Sequence, residues 1–236
     1  KQKTAYEMLR SLVGSEMCIR DRSLIVGSLI LFIALSEYWD RALITAYMAT
    51  FAVIISTILG ITIGSFCAQN NFVSKAALSV CDFFQTFPSF IYLIPVILLF
   101  GITDTSVMIA AIVYATVPAT RYTVEGLLSV PISLHEVGTM SGVSRFQRWV
   151  NIELPLAFPH IMLGINQTVI FALFMVILGA LIGTEDLGQV VMGALSKKGG
   201  AGIGFTLGMF VSFIALAVDH LIRTWANERK KLLGLD

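Results

Sequence analysis

Charge is what this chain of 236 residues has least of: Asp, Glu, Lys and Arg make up 13% of it, roughly half the share of an ordinary soluble domain. With 56% apolar residues and a mean hydropathy of +0.84, a water-soluble fold of this length would have to enclose more apolar surface than it can. Cysteine is scarce too: Cys18, Cys67 and Cys81 form no CxxC pair and no disulfide framework. The three histidines, His135, His160 and His220, stand far apart, so no metal site is expected. No GxxxxGK[ST] phosphate loop, GxGxxG turn, HExxH or GxSxG is present, and no catalytic residue is expected. The formal net charge of +1 comes with no basic stripe, which speaks against a nucleic-acid partner.

The few charges that exist are placed informatively. Uncharged windows run over residues 42–74, 83–103, 105–120, 154–184 and 199–218, with a shorter one at 23–36. A bilayer core needs about 20 predominantly apolar residues per helical span. Five windows therefore span or nearly span, and the sixth is marginal. Helices are expected near 23–39, 42–67, 80–101, 105–122, 157–183 and 203–222, an all-α polytopic membrane protein with about five to six spans surrounded by lipid. Glu37, Tyr38 and Trp39 would lie at an interface, and Arg121 would run its stem along the helix to keep its head there.

Residues 1–22 carry five Lys and Arg residues and three acids. They match neither a signal peptide nor a span. Ala5–Arg22, AYEMLRSLVGSEMCIRDR, resembles translated sequencing-library adapter and is expected to be non-native, leaving 23–236 as one membrane domain and its net charge at −1. With a cytoplasmic N-terminus, the inner segments hold Lys75, Arg121, Arg145, Arg148, Arg223, Arg229, Lys230 and Lys231. The outer loops hold only Arg41, Lys197 and Lys198. The positive-inside rule favours that orientation, with a cytoplasmic C-terminus.

Small residues recur at four-residue steps: Ser56, Gly60 and Gly64, then Gly179 and Gly183, then Gly204 and Gly208. Such steps let helix backbones approach closely. They suit packing within the subunit better than they signal a dimer.

Between the fourth and fifth windows lies a polar loop, 123–157. Pro131 and Ser133 start a short helix with Leu134, Val137 and Met140 or Ser141 on one face, and Gly142 breaks it. A second helix from Ser144 would show Phe146, Trp149 and Val150 to one side and Arg145 and Arg148 to the other, ending before Pro155. The pair is either a compact docking knob or an interfacial helix on lipid head groups.

Glu136, Gly138, Gly142, Ile152, Leu154 and Pro155 are spaced as in the loop motif of binding-protein-dependent ABC importer permeases: Glu-Ala-Ala, three residues, Gly, nine residues, Ile, one residue, Leu-Pro. Val137 and Gly138 replace the two alanines. The chain resembles that family, and in three further stretches its glycine betaine, proline betaine and choline branch: DFFQTFPSFIYLIPVILLFG (82–101), GINQT (164–168) and GTEDLGQVVMGAL (183–195). The resemblance implies the transmembrane domain of a type I ABC importer, in the bacterial inner membrane, moving an osmoprotectant. It implies a permease homodimer, a separate ATPase that binds the ATP and magnesium and grips the Glu136–Pro155 knob, and an extracytoplasmic solute-binding protein.

The candidate path residues come from polarity within apolar spans. Gln85, Thr86, Pro88, Ser89, Tyr92 and Pro95 interrupt the third window, where each proline removes a backbone donor and opens a turn. Exposed carbonyls and the Tyr92 face would suit a quaternary ammonium. Asn166, Gln167 and Thr168, near the inner end of the fifth helix, either bond another helix or line the exit. Asp82 and Asp219 are expected to be interfacial or paired. Glu185 and Asp186 open an outer helix and are expected to touch the binding protein. The rival reading is an ion-coupled transporter or channel, which would show an inverted repeat or a mid-span acid. The long windows contain no acid.

Overall fold

The computed structural model describes residues 27–28, 31, 34–197 and 200–232, the side chains beyond 220 only at 222 and 224. Residues 1–22, Cys18 among them, lie outside that set. So do most of the window 23–36, Lys198, and the side chains of Arg223, Arg229, Lys230 and Lys231.

Every regular element among the described residues is helical: α1 (Trp39–Cys67), α2 (Asn71–Thr86), α3 (Phe90–Phe100), α4 (Asp104–Leu128), α5 (Ile132–Met140), α6 (Arg145–Arg148), α7 (Leu154–Gly179), α8 (Leu187–Leu195) and α9 (Ala201–Leu232). A five-residue π turn, Trp149–Glu153, joins α6 to α7, and a 3₁₀ turn, Ala180–Ile182, ends α7. Four helical runs are long and apolar enough to cross a membrane: α1, α4, Arg145–Ile182 and Ala201–His220. The pair α2 and α3, bent by 85°, makes a fifth if it counts as one span.

The third span departs from its expected form. It begins at Asn71 rather than near residue 80, because Asn70 caps it by accepting from the Phe72 amide. It breaks once, at Phe87–Ser89. Pro95 sits inside α3 without ending it, so only Pro88 does what is expected of both prolines. The second short loop helix does not stop before Pro155 either. It runs through the π turn into α7, where Pro155 occupies the first turn directly after the π turn.

Helix α4 sits at the centre because one of its faces is nearly bare. Ala110, Ala111, Ala115 and Ala119 are all buried, and α1 and α7 close on that face. From α1, the Ser56 hydroxyl donates to the Ile112 carbonyl at 3.0 Å, and Gly60 and Gly64 lie against Ala119, Thr120 and Thr123. Met48, Leu93, Val107, Met175 and Val176 fill the rest of the core. Gly179 packs on Val107, Gly183 instead turns the chain at φ +100°, and Gly208 faces open space. Of the small-residue steps, those at 56, 60, 64, 179 and 204 pack within the subunit, Gly204 against Leu195.

Candidate functional site

The polar loop folds into a knob. Pro131 heads α5, which ends in a closed turn. The Val143 amide donates to the Gly138 carbonyl at 3.3 Å, and the Gly142 amide to the Thr139 carbonyl at 3.1 Å. This pairing needs a left-handed residue after the helix. Gly142 supplies it at φ +71°, and a Cβ there would have nothing within 4 Å of it, so the backbone angle, not space, demands glycine. Ser144 then starts α6 with a reciprocal cap: its hydroxyl accepts from the Gln147 amide at 3.3 Å, and the Gln147 side chain accepts from the Ser144 amide at 3.0 Å.

Glu153 ties the two halves together. Its carboxylate, 14% exposed, accepts from Arg148 Nε at 2.8 Å and from His135 Nδ1 at 3.0 Å, and Arg148 also donates to the Thr139 hydroxyl at 3.3 Å. Gly138 is buried where a Cβ would stand 3.2 Å from the Arg148 and Ile152 side chains. A glycine here, where the motif has alanine, thus lets α5 lie closer to the π turn. Leu154 packs with Trp149 under Leu127, Ala157 and Ile161, while Glu136 faces out. Ile132, Val137, Met140 and Phe146 are 57–89% exposed, an apolar cap on a polar loop of the kind that marks a protein contact. Glu153 escapes a reading of the sequence because it occupies the unspecified position between Ile152 and Leu154.

A second feature is a cleft of about 310 Å³ where α2, α4 and α7 meet. Gln85 and Gln167, both expected on the path, line it together with Arg121, Tyr122, Glu125 and Phe171. Arg121 is held by polar neighbours. It pairs with Asp82 at 2.6 Å and Glu125 at 3.0 Å, and donates to the Gln85 side-chain amide oxygen at 2.8 Å. Asp82 is therefore paired. The other expected path residues lie elsewhere. Tyr92 is buried, its hydroxyl donating across the break to the Phe84 carbonyl, and its ring lies 5.0 Å from Tyr114, which stacks on Phe171 at 4.7 Å. Asn166 is buried with its amide oxygen unpartnered, and the buried Thr168 hydroxyl bonds back to Gly164. Thr86, Pro88 and Ser89 lie at the break and Pro95 inside α3, none of them among the residues lining the cleft. A hollow of about 370 Å³ along α1, lined by Leu43, Tyr47, Phe51 and Ile54, is an apolar groove.

At the far end, Glu185 and Asp186 part company. The Glu185 side chain is 72% exposed and pairs with Arg41 at 3.4 Å. Asp186 is fully buried, which corrects its expected place on the outer surface. One of its oxygens caps α8 by accepting from the Gln189 amide at 3.0 Å, and the other has no partner. The Leu187 amide donates to Thr45 on α1 at 3.0 Å. Burial pushes the Asp186 carboxyl up to about 6, against the opposing pull of the Gln189 amide and Thr184.

An acid whose folded pKa lies above its unfolded 3.8 destabilises the fold once ionised. The contribution of Asp186 to stability is therefore greatest below about pH 4 and is lost as pH rises through about 6. Asn caps as well as Asp and cannot ionise. Asp186→Asn is expected to raise the melting temperature in detergent at pH 8 and to flatten its dependence between pH 4 and 8; a wild-type pH slope retained in the variant would contradict this.

Among the described residues, no three His, Cys, Asp or Glu side chains gather as a metal site. The family model described as "Binding-protein-dependent transport system inner membrane component" matches residues 60–227. The chain is 67% identical over 213 residues to the trimethylamine N-oxide transport system permease protein TmoV of Pelagibacter ubique (strain HTCC1062), covering 90% of this chain and 30% of that protein. It is 33% identical to the glycine betaine transport system permease protein OpuAB of Bacillus subtilis (strain 168), covering 82% of this chain and 68% of that one. It thus spans less than a third of its TmoV relatives' length. In fold it is similar to a chain of the MetNI methionine ABC transporter, in a structure titled for inward facing conformations, with a TM-score of 0.67 and 18% identity, covering 84% of this chain and 99% of that one.

Proposed function

The chain belongs to the family of binding-protein-dependent transport system inner membrane components, and from that premise we propose that it is the pore-forming part of an ATP-driven importer for small methylated amines. Two copies form the pore. A separate ATPase, which holds the ATP and magnesium, engages the Glu136–Pro155 knob, and an extracytoplasmic binding protein delivers the solute to the end that carries Glu185. The knob and the C-terminus lie on the cytoplasmic side.

The observation that carries this reading is the knob itself. Glu136, Gly142, Ile152, Leu154 and Pro155 stand at the motif spacing, and the fold turns them into a capped helix pair with an exposed apolar top. Closure of the ATPases would pull on this pair, and the helices would respond as rigid bodies, opening the cavity outward. For the solute, the 67% likeness to a trimethylamine N-oxide permease protein moves the N-oxide ahead of the glycine betaine and choline that the sequence motifs alone suggest.

The test is uptake into liposomes that hold the full-length protein with its ATPase and binding protein. Trimethylamine N-oxide uptake is expected to require ATP and to survive collapse of ion gradients. Gly142→Val, which forces a branched residue into left-handed backbone at a cost of about 1–3 kcal/mol, is expected to depress ATPase stimulation severalfold. Uptake driven by an ion gradient without any ATPase would sink the proposal in favour of a secondary transporter.

A further inference from the structure

We propose that the cleft between α2, α4 and α7 is a solute-holding site inside the membrane domain, for a small molecule carrying both a permanent cationic centre and an oxyanion, and that the bound oxyanion takes Arg121 from Asp82. This rests on the importer reading and adds to it a site of discrimination in the permease itself.

Ionisable side chains within spanning helices are expensive, and they face a bundle interior or a water-filled cavity when they occur. Here three converge: Asp82, Arg121 and Glu125, all at least 30% exposed. Together they carry one net negative charge, which favours a cationic centre. A quaternary nitrogen has no hydrogen to donate and is held instead by ring faces. Tyr122 and Phe171 border the cleft, and Phe171 is backed by Tyr114 in a stack inclined at 26°. The oxyanion end requires donors, which Arg121 supplies as a planar fork and the Gln85 and Gln167 amides supply beside it. A volume of about 310 Å³ stands at the small end of ligand pockets, about 300–1,000 Å³, as suits a solute of few atoms.

The exchange at Arg121 has a mechanical consequence. Asp82 and Gln85 are three residues apart on α2, and Arg121 on α4 bonds both. The chain breaks one turn further on, at Phe87–Ser89, with an 85° bend. Arg121 is thus a polar tether holding α2 to α4 beside a hinge. Half-exposed ion pairs are weak, so a solute oxyanion competes with Asp82 on nearly equal terms. A solute that gains contacts only when the tether is exchanged shifts the domain toward the untethered arrangement.

The test uses the complete reconstituted transporter, with binding protein saturated by either trimethylamine N-oxide or glycine betaine so that delivery does not discriminate. Gln167→Ala and Phe171→Leu are expected to change the ratio of the two maximal uptake rates by roughly tenfold, the size of a single pocket contact. Asp82→Asn, which removes the carboxylate that rivals the solute while Glu125 and Gln85 still hold Arg121, is expected to keep the ratio and, in equilibrium binding of labelled trimethylamine N-oxide to the reconstituted transporter without binding protein, to lower the half-saturating concentration. Gln167→Asn replaces the alanine variant should that one fail to assemble. An unchanged ratio in both pocket variants overturns the site. An unchanged half-saturation in Asp82→Asn overturns the exchange. Wild-type transport of neither solute overturns the importer reading and the site with it.

Discussion

Gly60→Leu is expected to abolish recovery of folded membrane domain, and Gly208→Leu to leave recovery and melting temperature as in the wild type. A Cβ at Gly60 would overlap the Ala119 side chain and come within 2.9 Å of the Ala119 carbonyl carbon and the Thr120 amide. These are backbone atoms of the central helix, not the movable end of a side chain. Overpacking that side chains can absorb costs about 1–3 kcal/mol. Here α1 and α4 would have to separate along their length, and the Ser56 bond to Ile112 and the Gly64 contact with Thr123 would go with them. Against a total stability of about 5–15 kcal/mol, that loss is decisive. Gly208 has nothing within 4 Å and tests whether leucine alone, rather than its place, does harm. Equal monodisperse yields and melting temperatures for Gly60→Leu and wild type in detergent would refute the packing account.

The same two glycines show how far sequence reaches. Both belong to four-residue steps of small residues, and the steps look alike in sequence, yet one is buried against a helix and the other open. Spacing along one helix says that a close approach is possible; only the partner's position says that it occurs. The spans are legible for a simpler reason. A helix in lipid has no water to satisfy a charge, so charge-free windows bracket α1, α4 and α7 to within several residues, whereas α9 runs on past its window to Leu232. The break at Pro88 is half legible: two prolines advertise it, but whether each stops a helix depends on tertiary contacts such as the Tyr92 hydroxyl crossing to Phe84.

The site divides in the same way. The knob is legible because a spacing motif names its residues. Gln85 and Gln167 are legible as polar groups in apolar spans, and the cleft brings them together. Asp186 defeats a sequence reading because one position separates an exposed carboxylate from a buried cap, and sequence alone does not fix that phase. Arg121 has the place in sequence of a side chain reaching for water, but two acids and an amide, Asp82 and Gln85 lying 39 and 36 residues before it and Glu125 four after it, are nearer.

Glu153→Ala is expected to uncouple the transporter, leaving ATP hydrolysis at a large fraction of wild type while solute moved per ATP falls by about tenfold, or about 1.4 kcal/mol of lost coupling. The knob can transmit force only if α5 moves with α7. Apart from the glycine turn, what joins them is the Glu153 carboxylate, which holds His135 from α5 and Arg148 from α6, and the Arg148 bond to Thr139. Alanine leaves Arg148, 27% exposed, without its carboxylate. A polar group stranded in this way costs about 1–3 kcal/mol, enough to let α5 rock on Gly142 without unfolding α7. The exposed cap of Ile132, Val137, Met140 and Phe146 is untouched, so docking of the ATPase is expected to persist. Glu153→Gln keeps an oxygen that accepts from both partners and is expected to restore much of the transport per ATP, which a change of bulk or net stability would not explain. Wild-type stoichiometry in Glu153→Ala would show that the glycine turn, the Arg148 bond to Thr139 and the packing of Ile152 on Gly138 carry the force without the carboxylate.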